Sequence, residues 1–132
     1  MLALTGCLQS RISQRLLEGR DGEARAHLDD LMAVFGAEQV YLEVQSNGLP
    51  AQDRVNEAIA RFSAELDRPL VGTADVHYLR REDHQHHSAL LCVQTKSTLA
   101  DPKLSFETNE YFLRSSQAVS YTHLTLPTTP YV

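Results

Sequence analysis

Hydrophobic positions recur along this chain at two spacings, and Gly, Pro or Asp-Gly stands wherever one spacing gives way to the other. Leu2 to Thr5 is a short apolar run stopped by Gly6, which predicts a strand belonging to a fold that begins upstream. Leu8, Ile12 and Leu16 follow at helical spacing with Leu17 beside them, and Glu18-Gly19 ends that helix. Asp21-Gly22 opens the next. Ala24, Leu28, Leu31, Met32 and Phe35 form its single apolar stripe, closed by Gly36. Val40, Leu42 and Val44 then alternate with Tyr41, Glu43 and Gln45, the period of a strand with one face buried, and Ser46-Asn47-Gly48 supplies the turn after it. Val55, Ile59, Phe62 and Leu66 restore the helical stripe. Asp67-Arg68-Pro69 breaks it before the apolar run Leu70-Val71.

Beyond that strand, Glu82 to Gln94 reads as a helix with His87, Leu90, Leu91 and Gln94 on one side, and Cys92 as part of the core. Asp101-Pro102 marks a loop, and Phe106, Tyr111, Phe112 and Leu113 are apolar anchors in a segment of loop and short strand. The pattern separates residues 1–117 from a tail, 118–132, that is dense in Thr and Pro and without charge or periodicity. The stretch Val119 to Pro127 looks like translated cloning or adapter sequence rather than part of the fold.

Strands alternating with helices of crossover length predict an α/β fold with a parallel sheet or barrel. In such folds the chemistry sits at the carboxyl ends of the strands. Asp75 and His77 follow the Leu70-Val71 strand, and Cys7 follows the Leu2–Thr5 strand, so all three are expected on one rim. Asp75 and His77 share a face because side chains two apart point the same way along an extended chain. An oxygen donor with an imidazole suits Zn, Mn or Fe, and a thiolate tips the preference toward Zn. An Asp-x-His pair alone is more often a His that caps a loop or salt-bridges its neighbour, and a lone Cys is more often a small buried hydrophobe. His84, His86 and His87 are the remaining His cluster, expected on a solvated face near the site entrance.

Composition narrows the picture further. The chain has 132 residues and a net charge of −5, which gives no basic footprint for wrapping a nucleic acid. Cys7 and Cys92 make no disulfide framework, which points to a reducing, cytoplasmic setting. No run approaches the roughly 20 apolar residues that span a bilayer, and the start lacks the form of a signal peptide, so a soluble, unexported protein is expected. Walker, Ser-His-Asp and CxxC patterns are absent from the sequence.

Three separated blocks then carry a resemblance: Leu4-Thr5-Gly6-Cys7, Val71-Gly72-Thr73-Ala74-Asp75-Val76-His77-Tyr78, and Ala89-Leu90-Leu91-Cys92-Val93-Gln94-Thr95. Tyr41-Leu42-Glu43, Asn47-Gly48 and the segment Phe106 to Ser115 add to them. In order and spacing, from about Ala3 to Ser116, these resemble the second half of the PHP (polymerase and histidinol phosphatase) domain of bacterial replicative polymerase alpha subunits. The resemblance implies a partial, distorted (βα)7-type barrel whose rim holds a trinuclear site for Zn or Mn ions. It maps ligand roles onto Cys7, Asp75 and His77. It also implies a parent that replicates DNA with a metal-dependent 3′ to 5′ exonuclease for proofreading, working with a separate proofreading subunit and a sliding clamp.

The family's His-x-His motif, its other ligands and the polymerase palm lie outside this sequence. The chain by itself is therefore expected neither to polymerise nor to hydrolyse DNA. Half of a closed barrel should also expose sheet edges and apolar helix faces. Two other readings stand beside the exonuclease. In one, the domain is a non-catalytic platform that docks a proofreading subunit; retention of Cys7, Asp75 and His77 leans against it. In the other, the parent is a stand-alone phosphatase acting on a small phosphomonoester such as histidinol phosphate; the Ala89 to Thr95 block leans against that. An error-prone paralogue of the alpha subunit ranks lower, because its matching segment usually keeps these blocks less completely.

Overall fold

In a computed structural model, which describes residues 1–123, three strands lie parallel in the order β1-β2-β3. Strand β1 is Ala3–Leu4, β2 is Val40–Gln45 and β3 is Leu70–Thr73. Helices α1 (Arg11–Leu17) and α2 (Asp21–Phe35) connect β1 to β2, and α3 (Pro50–Leu66) connects β2 to β3. Each predicted helix and strand of this part is present. The α/β class and the parallel sheet follow the alternation in the sequence.

Local chemistry accounts for the element ends. Ser10 caps α1 by accepting from the Ser13 amide at 3.2 Å. Asp21 and Glu23 place negative charge at the start of α2, where the helix dipole favours it. Pro50 occupies the first turn of α3, where its missing N–H is not needed, and Asp67 ends that helix in the left-handed region at φ 50°.

The core lies on one face of the sheet. Val40, Leu42 and Val44 of β2 pack with Ile12, Ala24, Leu28, Val55, Ile59 and Phe62 from the three helices. Leu28 and Leu42 are fully buried, the consequence of two apolar periodicities, 3.6 and 2, meeting at one interface. The opposite face of β2 departs from expectation. Glu43 and Gln45, which alternation placed on an open face, are buried at 8% and 6% exposure. β2 is the central strand, and groups at the ends of both neighbouring strands reach these side chains: the Gly6 amide and the Thr73 hydroxyl meet Glu43, and Thr73 also meets Gln45.

After β3 the chain forms a short 3-10 turn, Arg81–Asp83, and helix α4, His84–Thr95. Leu91 and Cys92 of α4 are buried, whereas Leu90 is 64% exposed and Val93 76% exposed, so the buried stripe is narrower than the sequence suggested. Residues 106–114 return to the sheet region. Tyr78 bridges Phe112, and Thr108 Oγ1 donates to the Asn47 carbonyl at 2.6 Å. Gly48, at φ 74°, makes room for this return: a Cβ there would meet Thr108 and Glu110 at 3.4 Å. Helix α5, Ser116–His123, crosses the expected boundary at 117, so the first residues of the expected tail are helical; the rest of it, 124–132, lies outside the described residues.

Leu2 and Leu4 at the β1 edge are exposed, as are Leu99 and Leu104 in the returning segment. No described strand pairs with the outer edge of β1. The three-stranded sheet does not itself define a barrel.

Candidate functional site

The carboxyl ends of the three strands carry the sequence-predicted residues. Asp75 lies two residues beyond the end of β3, and its Oδ1 is 3.1 Å from His77 Nε2. The i, i+2 spacing does bring the two side chains to one point. Both are partly open to solvent, with 38% of the Asp75 side chain and 34% of the His77 side chain exposed. The backbone of this turn is held from the other side of the site: the His77 amide donates to the Tyr111 carbonyl at 2.8 Å.

Cys7 follows β1 in a turn whose geometry is set by its neighbours. Its carbonyl accepts from the Ser10 amide at 2.9 Å, which starts α1 directly after the turn. Gly6 has φ +83°, and a Cβ there would press on Ser10 at 3.1 Å, so the turn needs glycine on both counts. Cys7 is half-buried and lies near enough to Tyr111 to influence its hydroxyl.

Around His77 the fold assembles rings from three separate segments. Phe106 lies 4.7 Å from His77, His87 5.5 Å and Tyr111 5.6 Å, centre to centre. Phe106 also touches His87 and Tyr111, and Tyr78 touches His87. His87 is thus a member of the site and not of a solvated face. The sequence held one signal for this: His87 shares the α4 face that carries Leu91. His84 and His86 lie outside the ring cluster, His86 only 3.7 Å from Asp83 on the surface.

Burial shapes the titration of two of these rings. Desolvation, and then repulsion by His77 and His84, pushes the His87 pKa below its ordinary 6.5. Burial first, then Asp75 and Glu107 with smaller contributions from Tyr78 and Cys7, pushes the Tyr111 hydroxyl above 10.0. Tyr111 therefore remains a neutral phenol at physiological pH. Outside the cluster, Arg81 and Arg114 flank Phe112 at 4.8 and 5.1 Å, and both pair with Glu110.

Asp75 and His77 supply two donors to one point. Among the described residues, however, no group of three or more His, Cys, Asp and Glu side chains is placed to hold a metal ion. Cys7 shares the rim but does not complete a set with the pair. A closed structural site needs about four protein ligands and a catalytic one about three, so the donors of this chain do not by themselves fit a resident metal. A cavity of about 430 Å³ lies elsewhere, against β1 and bounded by Leu4, Gly6, Ile12 and Leu31.

Comparison with known proteins bears on this arrangement. The chain is 36% identical over 121 residues to the DNA polymerase III subunit alpha of Treponema pallidum, covering 91% of this chain and 10% of that protein. It is 36% identical to the same subunit from Thermus aquaticus over 118 residues, and 36% identical to that from Deinococcus radiodurans over 116. The chain matches a segment of the DNA polymerase III alpha subunit. No family model matches it. It spans about 10% of the length of these alpha subunits. No helix among the described residues is long and apolar enough to cross a membrane.

Proposed function

We propose that this alpha-subunit segment is the second half of a PHP domain, and that its rim contributes Cys7, Asp75 and His77 to a metal centre completed by residues outside the chain. The observation that carries this reading is the Asp75–His77 pair, held at 3.1 Å just beyond β3 in a chain that matches replicative polymerases over nine-tenths of its length. The parent protein is a DNA-directed DNA polymerase of bacterial replication, located in the cytoplasm. Its PHP centre takes Zn or Mn ions in a trinuclear site and removes mispaired nucleotides from the 3′ end of DNA. DNA, a proofreading subunit and a sliding clamp are its partners. Within this chain, Asp75 and His77 hold one corner of the site, and the rings of His87, Phe106 and Tyr111 pack against His77 there.

The test is a Zn²⁺ and Mn²⁺ titration of the parent alpha subunit beside its Asp75→Ala and His77→Ala variants, paired with release of a labelled 3′ nucleotide. Both variants should lose at least about tenfold in metal affinity, a loss found even when outer partners of a ligand are removed. Unchanged affinity would remove the pair from the centre. Normal metal binding without nucleotide release would favour the platform that docks a proofreading subunit.

A further inference from the structure

Alternation along β2 places Glu43 outward, yet its buried carboxylate joins all three strand ends. One oxygen, Oε2, accepts from the Gly6 amide at 2.9 Å. The other, Oε1, accepts from the Thr73 hydroxyl and from Gln45 Nε2, the latter at 3.2 Å. Gln45 Nε2 also reaches Thr73 Oγ1 at 3.2 Å, and the Glu43 amide donates to Thr5 Oγ1 at 2.8 Å. All three groups facing the carboxylate are donors, an arrangement that a two-oxygen acceptor satisfies and an apolar side chain of equal volume would not.

The position of these donors gives the network its consequence. β1 ends at Leu4, and the Thr5 amide already donates to the Tyr41 carbonyl, so the Gly6 amide has passed beyond the sheet ladder. Glu43 supplies its acceptor. Gly6 immediately precedes Cys7. On the other side Thr73, the last residue of β3 and the register partner of Gln45, lies two residues before Asp75. We propose that Glu43 is the positioning residue of the rim, tying the turn that carries Cys7 and the turn that carries Asp75 to one buried carboxylate on the central strand. This goes beyond the metal-centre reading and does not require it: the coupling holds in the metal-free chain.

Thiol labelling in the presence of a chelator tests the coupling, so a failed metal centre leaves the result readable. Cys7 reports the β1 turn, and buried Cys92 on α4 reports global unfolding in the same sample. Glu43→Ala should raise the Cys7 labelling rate roughly tenfold while Cys92 stays protected, the size of opening expected on loss of a charge-assisted hydrogen bond. Glu43→Gln should return the rate close to that of the unaltered chain, because its amide oxygen still accepts from Gly6, while its NH₂ can donate to Thr73 or to Gln45 Oε1, which has no partner in the structure and reaches it when the Gln45 amide turns over. An unchanged Cys7 rate in folded Glu43→Ala overturns the proposal. Should Glu43→Ala expose both cysteines together, Thr73→Val decides. That change on β3 touches no atom of the Cys7 turn, so a Cys7 rate roughly fivefold higher with Cys92 protected supports the coupling, a smaller rise than in Glu43→Ala because the Gly6 amide keeps its own bond to the carboxylate. An unchanged rate in Thr73→Val overturns it.

Discussion

The two faces of β2 are built from the same alternating sequence and are both buried, yet they do different work. Val40, Leu42 and Val44 face the apolar side chains of the helices, where burial in proportion to area supplies stability. Glu43 and Gln45 face the strand-end rim, where removal from water costs free energy unless every polar atom finds a partner. Around them, Asn56 accepts from the Gln45 amide at 3.2 Å and donates to its carbonyl at 2.6 Å, and Gln52 donates to Asn56 at 3.0 Å. The apolar face tolerates small changes of shape in proportion to volume. The polar face fixes geometry, because a hydrogen-bonded carboxylate and amide accept few alternative positions. The candidate site lies on the side of the sheet whose geometry is fixed.

Substitutions can break this contrast. Leu42→Ala should have the largest effect on stability, about 2–5 kcal/mol by denaturant titration, since it opens a cavity in the fully buried apolar face. It should leave the relative labelling of Cys7 and Cys92 unaltered below the unfolding transition. Asn56→Ala should cost about 1–3 kcal/mol, the penalty for stranding buried backbone polar groups of Gln45. Asn56→Leu, which keeps the branched shape, should do no better, which would separate loss of hydrogen bonds from loss of packing. If Asn56→Leu were as stable as the unaltered chain, the polar face would be ordinary packing and the contrast would fall.

The smallest effect concerns pH and sharpens the comparison at the ring cluster. His87 has its folded pKa below 6.5, so the unfolded chain binds that proton more tightly than the folded chain. Its contribution to stability is fully present above about pH 6.5 and is lost as pH falls from there through the lowered folded value. His87→Phe should keep the ring contacts with His77 and Phe106 and flatten this dependence. Urea midpoints at about pH 7.5 and about pH 5.5 check it: the difference between them should be smaller in the variant. An equal difference would place the titration elsewhere.

Much of the fold was legible because its periodicities are local. The stripe from Ala24 to Phe35, the alternation from Val40 to Gln45 and the breaker at Asp67-Arg68-Pro69 each settled an element within a few residues of its observed bounds. In the candidate site, the closeness of Asp75 and His77 followed from i, i+2 geometry, and the burial of Cys92 from its apolar neighbours. Leu90 and His87 did not follow. A helical face drawn from sequence cannot say how wide a stripe its neighbours cover, and α4 is covered only along Leu91 and Cys92, with His87 reached by Phe106 from a distant loop.

The sequence by itself determined the order of helices and strands, the rim on which Cys7, Asp75 and His77 lie, and the likeness to the alpha subunit. Tertiary structure alone decided that Glu43 and Gln45 are interior and that His87 joins His77. The physical reason is the range of the contacts. A period of two residues reports that one face of a strand is apolar, but whether the other face meets water depends on groups such as Gly6 and Thr73, 37 and 30 residues away, whose approach no local pattern records.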